Sequence, residues 1–268
     1  MITRPFAIPH FIRLLPVLLA WSILSCLCNA VAETQAPPPK PDQKTVQKSR
    51  YELRPGSPDG IGKWFMGREI AHFMSHEGAP WLERPEREEE EQPSQLIIAL
   101  GLKPGQVVAD IGAGSGYLSW RMARLVAPGG RVYANDIQPE MLAILRTNVA
   151  SHGVTNVVTI QGTESDPRLP TNQVDLAIFV DVYHECEFPY EIISGVVQSL
   201  KVGGRLVLVE YRGEDDSVPI KRLHKMTTAQ VRTEMALHPL DWVEVVDTLP
   251  RQHILVFRKR ASTTPHNP

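Results

Sequence analysis

Residues 107–117, Val-Val-Ala-Asp-Ile-Gly-Ala-Gly-Ser-Gly-Tyr, constrain this chain more than any other stretch, because an apolar run passes through an acid straight into three closely spaced glycines. The run predicts a buried strand ending near Asp110. Gly112, Gly114 and Gly116 predict a tight loop that can enter positive φ and lie bare against a ligand. A helix is expected from residue 117 to 125, so that its first amides face whatever sits on the loop. The pattern D-x-G-x-G-x-G departs from the dinucleotide pattern G-x-G-x-x-G, in which the acid waits for the end of the second strand. That argues against a nicotinamide oxidoreductase.

Beyond the loop the hydrophobic periods alternate. Strands are expected at residues 106–110, 131–136, 157–161, 174–180 and 205–210, with helices at 94–100, 117–125, 139–150 and 190–200. Such alternation implies a parallel, doubly wound sheet. After a helix at 228–236, two further strands at 242–248 and 252–258 are joined only by Leu249-Pro250-Arg251. A link that short cannot make a parallel crossover, so these strands must be antiparallel neighbours. The expected fold is therefore α/β: a doubly wound, mostly parallel seven-stranded sheet with an antiparallel last strand. In front of it, helices at 63–74 and 85–91, the second opened by Pro85, predict an N-terminal helical cap over residues 56–93.

In open α/β sheets a ligand lies beyond the carboxyl ends of the strands, and the candidate residues gather there. Asp110, Gly112, Ala113, Gly114 and Gly116 follow the first strand. Asp136, twenty positions after Gly116, ends the second beside Ile137; a carboxylate there can accept two hydrogen bonds from a ribose diol, and the competing reading is a solvated turn acid. Thr163, Glu164, Ser165 and Asp166 stand in a row after the third, and the sequence alone does not choose among them. Asp181, Tyr183, His184 and Glu185 follow the fourth. His184 is the best-placed group titrating near neutrality, so it is either a base or a loop cap.

The order of parts resembles the class I S-adenosylmethionine-dependent methyltransferases over residues 94–258: glycine loop, ribose acid, adenine-side loop, and a strand ending in Asp181-Val-Tyr-His. The resemblance implies a methyltransferase domain at 94–260 with S-adenosyl-L-methionine as cofactor. It also implies that Asp110 lies near the methionine amino group, that Thr163 or Glu164 meets the adenine, and that Asp181 contacts the methionine end. His184, Tyr183 and Glu185 would be catalytic. The fourth strand, with the following Leu200-Lys-Val-Gly-Gly-Arg-Leu-Val-Leu-Val-Glu210, looks like the branch that includes quinone and arsenite methyltransferases, which implies a small-molecule acceptor. The chain lacks the cysteine set that arsenite chemistry needs. The loop is also similar to that of protein-isoaspartate methyltransferases, so carboxyl methylation is the enzymatic alternative, and a non-catalytic donor-binding protein is the alternative from another class.

The remaining sequence sets boundaries. Residues 14–27 are apolar, Arg4 and Arg13 are the only charges before them, and Ala30 and Ala32 follow. This reads as a signal peptide over 1–32 and an exported protein, with a retained membrane anchor or a lipid-bearing Cys26 as alternatives. Residues 33–55 carry Pro37-Pro38-Pro39 among polar residues and read as a disordered linker, and residues 261–268 as a disordered tail. The net charge is −2 and falls further without the leader, and no basic run is present, so a nucleic-acid partner is not expected. His72 and His76 stand four apart on an expected helix, but the pattern is not H-E-x-x-H and no third ligand is identified, so no metal site is assigned. His224 is a candidate acceptor-side residue, and the acidic run 86–91 reads as a solvated helix face.

Overall fold

The computed structural model describes residues 50–261. The leader, anchor and lipid readings of residues 1–32, and most of the linker, lie outside the described residues. Among the described residues no helix is long and apolar enough to cross a membrane.

Where the sequence predicts a helix over 63–74, the chain makes an antiparallel meander of β1 (Tyr51–Leu53), β2 (Gly60–Phe65) and β3 (Arg68–Ala71). Met66 and Gly67 both take positive φ, 47° and 94°, as in a two-residue hairpin turn whose twist matches its strands. Glu69 fixes the other end by accepting from the amides of Ser57 and Gly62 at 2.9 and 3.2 Å. The pairing takes residues 51–53 out of the expected linker. Only short helices follow, α1 (Ala79–Leu82) and α2 (Arg87–Glu90), so the cap is a small sheet and a strap rather than a helical layer.

Past α3 (Pro93–Leu100), the strands β4 (Val107–Ile111), β5 (Arg131–Asp136), β6 (Val157–Gln161), β7 (Val174–Val180) and β8 (Leu200–Arg212) run parallel. Between them lie α4 (Ser119–Val126), α5 (Pro139–Ser151) and α6 (Pro189–Ser199), the last two opened by prolines at their first turns. The two-residue β9 (Lys225–Met226) pairs with the end of β8. Then α7 (Thr228–Met235), capped by the Thr227 hydroxyl, leads to β10 (Leu240–Val246) and β11 (Gln252–Lys259). The spatial order is β10-β11-β8-β7-β4-β5-β6, with β11 antiparallel to both neighbours. This is the expected seven-stranded path, with β9 pairing off it.

Alternation along β7 shows how both faces are covered. Leu176 and Ile178 pack with Leu100, Met122 and Val126 of α3 and α4, whereas Ala177 and Phe179 pack with Ile193 and Val196 of α6 and Val231 of α7. Burying each large side chain contributes about 1.5–3 kcal/mol. A slip by one residue would exchange the two faces along the whole strand, so register is pinned. Fixed register is what delivers Asp110, Asp136, Asp181 and Glu210 to one edge of the sheet.

Candidate functional site

The parallel strands end over a cleft of about 540 Å³, inside the range of about 300–1,000 Å³ common for small-molecule sites. Asp110, 3% exposed, accepts from the Ser119 hydroxyl at 2.5 Å. Burial lifts its pKa to about 6, against the pull of Ser119 and Arg87, so the free carboxyl is poised for a cation. Gly112 and Gly114 have φ of 65° and 55°. A Cβ on them would stand 2.5 Å from Val182 Cγ1 and 2.7 Å from Leu82 Cδ1, so only glycine fits. Gly116 differs from the expectation. It lies off the cleft wall, and its Cβ would meet Leu145 Cγ at 2.8 Å, so this glycine seats the loop against α5 rather than against a ligand.

Asp136 is 6% exposed and lines the cleft. Its Oδ2 accepts from the Gly114 amide at 3.0 Å and its Oδ1 from the Gln138 amide at 2.9 Å, leaving each oxygen a further lone pair. Burial raises its pKa, and the amides of Gln138 and Gly114 oppose the rise. Ala113, Ile137, Thr163 and Glu164 continue the wall. The choice left open after the third parallel strand is made by a local turn: the amides of Asp166 and Ser165 donate to Thr163 Oγ1 at 3.0 and 3.4 Å. Thr163 and Glu164 therefore reach the cleft and Ser165 and Asp166 do not.

The turn after β7 is more unusual. Asp181 is a non-glycine residue at φ 55°, its Oδ2 accepts from Gln252 Nε2, and its Oδ1 is buried without a hydrogen-bond partner. Burial, then Glu91 and Glu210, hold its carboxyl well above the usual range. An orphaned acceptor on a cleft wall is a place for a donor carried by a ligand.

His184 is 1% exposed, with Nδ1 2.6 Å from Glu210 Oε2 and Nε2 3.2 Å from His224 Nδ1. Burial opposes charge on the ring, but Glu210 and Glu185 outweigh it and bring the pKa up to about 10. Both ring nitrogens are thus engaged, and what the ring can do is set by Glu210 on one side and by His224 and Glu185 on the other. The reading of Tyr183 as catalytic is corrected. Tyr183 is 1% exposed and off the wall, its hydroxyl donating to Glu234 Oε2 at 2.6 Å, and Arg68 closes the group with Nε and Nη2 2.7 and 3.1 Å from the same carboxylate. Glu185 stays on the wall; burial acts to raise its pKa, but His184 and His224 lower it overall.

Sequence reading missed the strap. Phe73, Met74, Trp81 and Leu82 cover the cleft. The Met74 amide donates to Glu185 Oε2 at 3.4 Å, and Gln138 holds both sides of the strap, accepting from the His76 amide at 2.8 Å and donating to the Met74 carbonyl at 3.0 Å. His72 and His76 do not share a helix face: one follows β3 and the other opens a single 3₁₀ turn. The acidic run divides. Glu86, Glu88 and Glu89 are exposed as expected, but Glu91 is 2% exposed and takes Arg87 Nε at 2.8 Å and the Tyr211 hydroxyl at 2.8 Å, which places Arg87 on the cleft wall. Two arginines, Arg84 and Arg87, set among the glutamates of residues 83–91 were the available signal.

Two buried acids, a glycine cradle and an orphaned acceptor suit a ligand with a cationic end and a sugar diol. Comparison with known proteins agrees. Residues 102–253 match the family described as a methyltransferase domain. Protein-L-isoaspartate O-methyltransferase of Aeropyrum pernix is 33% identical over 117 residues, 42% of this chain and 42% of that protein. A ubiquinone/menaquinone biosynthesis C-methyltransferase of Pseudomonas paraeruginosa is 31% identical over 119 residues, 44% of this chain and 46% of that protein. The chain thus spans less than half the length of these curated relatives. A SAM dependent methyltransferase from Aquifex aeolicus superposes with a TM-score of 0.65 at 22% identity, covering 69% of this chain and 99% of that one, a likeness of fold. The cleft, the sheet and the family match together make this chain a member of the methyltransferase-domain family, an enzyme that uses S-adenosyl-L-methionine.

Proposed function

We propose that the enzyme methylates a small, largely apolar molecule inside this cleft. In this reading Asp136 holds the ribose diol, Ile137, Thr163 and Glu164 flank the adenine, and Asp110 and Arg87 receive the methionine ammonium and carboxylate. Bound S-adenosyl-L-methionine supplies a methyl group on a sulfonium, ready for in-line displacement. The protein's part is alignment and the exclusion of water, since holding donor and acceptor in contact accounts for much of such a rate. Phe73, Met74, Ile192, Pro219 and Ile220 give the acceptor an apolar bed, and Glu185 and His224 give it polar contacts.

The observation that carries the acceptor class is the strap. Its backbone is tied to Glu185 and Gln138, which keeps Phe73, Met74 and Trp81 along the cleft and favours an acceptor small enough to sit among them. The likeness to an isoaspartate methyltransferase favours a second reading, carboxyl methylation of an altered protein. Release of S-adenosylhomocysteine tests both. A panel of phenols, catechols and reduced quinones is expected to yield product and an isoaspartyl peptide is not. Turnover of the peptide alone would reverse the assignment.

A further inference from the structure

Three ligand-type atoms converge at the acceptor end of the cleft. His184 Nε2 lies 3.2 Å from His224 Nδ1 and 3.7 Å from Glu185 Oε1, and His224 Nδ1 lies 3.4 Å from Glu185 Oε1. All three residues line the cleft, and among the described residues they form the group of histidine and acidic side chains close enough together to share an ion. They come from two loops, after β7 and after β8, so the parallel sheet itself builds the cluster.

We propose that these atoms hold one four-coordinate divalent transition-metal ion of zinc type, with its fourth position open to the acceptor. The argument is geometric. An ion with nitrogen and oxygen ligands about 2.0–2.2 Å away stands at the centre of a tetrahedron whose edges are about 3.3–3.6 Å. The separations of 3.2, 3.4 and 3.7 Å bracket those edges. An octahedral site at the same bond lengths has edges of about 2.8–3.1 Å, shorter than any of the three. Two histidines and one carboxylate with a vacant corner is also the ligand composition of zinc sites that bind a reacting oxygen rather than merely bracing a fold.

The surroundings complete such a site. A ligating histidine presents its other ring nitrogen to a carboxylate, which fixes the ring and raises its basicity. His184 does this through Nδ1, 2.6 Å from Glu210 Oε2, and Glu210 is itself fixed by the Tyr183 amide at 3.0 Å. The His184 carbonyl accepts from Arg68 Nη1 at 3.1 Å, and Glu185 Oε2 accepts from the Met74 amide at 3.4 Å, which leaves Oε1 for the ion. The vacant corner would take an acceptor oxygen and hold it toward the donor; that part rests on the small-molecule reading above, whereas capture of the ion does not.

The test uses the full chain, purified without an affinity histidine tag and stripped with a chelator. Titration with cobalt(II) alone is expected to give one equivalent of bound metal and the intense visible bands of a four-coordinate ion, displaced by zinc. His224→Ala, at a partly exposed position, is expected to weaken cobalt uptake by more than about 100-fold, because even a partner outside the ligand set is worth about 10–100-fold. Thermal melting of that variant and its affinity for S-adenosylhomocysteine, both expected near wild type, exclude misfolding as the cause. Acetohydroxamate, an oxygen-ligand probe, is expected to shift the cobalt bands. A chain that binds S-adenosylhomocysteine but takes up no cobalt overturns the metal site and leaves the donor reading standing. Equal uptake by His224→Ala overturns the ligand set, and bands that hydroxamate does not move overturn the open position.

Discussion

Asp136→Asn probes the donor end most directly, because it keeps the side chain's shape and turns one acceptor oxygen into an N–H donor. In the native chain both oxygens are engaged, by the amides of Gln138 at 2.9 Å and Gly114 at 3.0 Å. An asparagine cannot serve both: whichever way it turns, one N–H group confronts another. A ribose diol also loses its ionised acceptor, and a charge-assisted hydrogen bond contributes about 1.5–3 kcal/mol. The expected result is an S-adenosylhomocysteine affinity lower by roughly 10–150-fold, measured by titration calorimetry. Since Gly114 loses a brace as well, a second ligand separates the causes. With the 2′-deoxy analogue the penalty of the substitution should shrink by about tenfold, the coupling expected of partners in direct contact. Unchanged affinity, or the same penalty for both ligands, would refute the diol contact.

Gly114→Ala places a side chain at φ 55° and 2.7 Å from Leu82 Cδ1, so donor affinity should fall together with about 1–2 kcal/mol of stability, read from melts with and without S-adenosylhomocysteine. Arg68→Met strands the fully buried Glu234 carboxylate and should cost about 3–5 kcal/mol in chemical denaturation; a loss under about 1 kcal/mol would mean that the ion pair is not what joins β3 to α7. Asp110 gives a pH dependence. Its folded pKa of about 6 lies above the ordinary 3.8, so its ionisation destabilises the free protein progressively as pH rises through 6. A bound ammonium favours the ionised form, so donor affinity should climb between about pH 5 and 7, and Asp110→Asn should flatten the climb in calorimetry run across that window.

The sheet and the glycine loop were legible in the sequence because each rests on local chemistry. Period-two runs and three glycines specify a strand and loop without help from the rest of the chain, and the three residues between β10 and β11 force an antiparallel pair by length alone. The cap was not legible for the opposite reason. Within residues 63–74 the deciding features are positive φ at Met66 and Gly67 and an arginine that reaches across the fold to Glu234. Distance in the chain hides that partner: Arg68 and Glu234 are 166 positions apart. Arg87 failed similarly, since a buried Arg87–Glu91 pair and a solvated one share the same i,i+4 spacing.

The acceptor end shows where local reading stops. His184 stood at the right place for a base, yet what a histidine does depends on what faces its two nitrogens. Those neighbours, Glu210 on Nδ1 and His224 on Nε2, arrive from 26 and 40 positions away. Parallel topology makes the meeting unavoidable: β7 and β8 are hydrogen-bonded neighbours, so the loops leaving their carboxyl ends must share a mouth. The strap then closes that mouth through Met74 and Gln138. One consequence follows for relatives with the same sheet. On the proposed reading the donor is held by the sheet's own loops, the glycine loop and Asp136 among them, while the acceptor is set by three short segments, the strap, the turn at residues 183–185 and the loop carrying His224. Exchange of those segments should therefore change the substrate and leave S-adenosylhomocysteine binding intact, and a chimera that loses donor binding instead would show that the two ends are not separable.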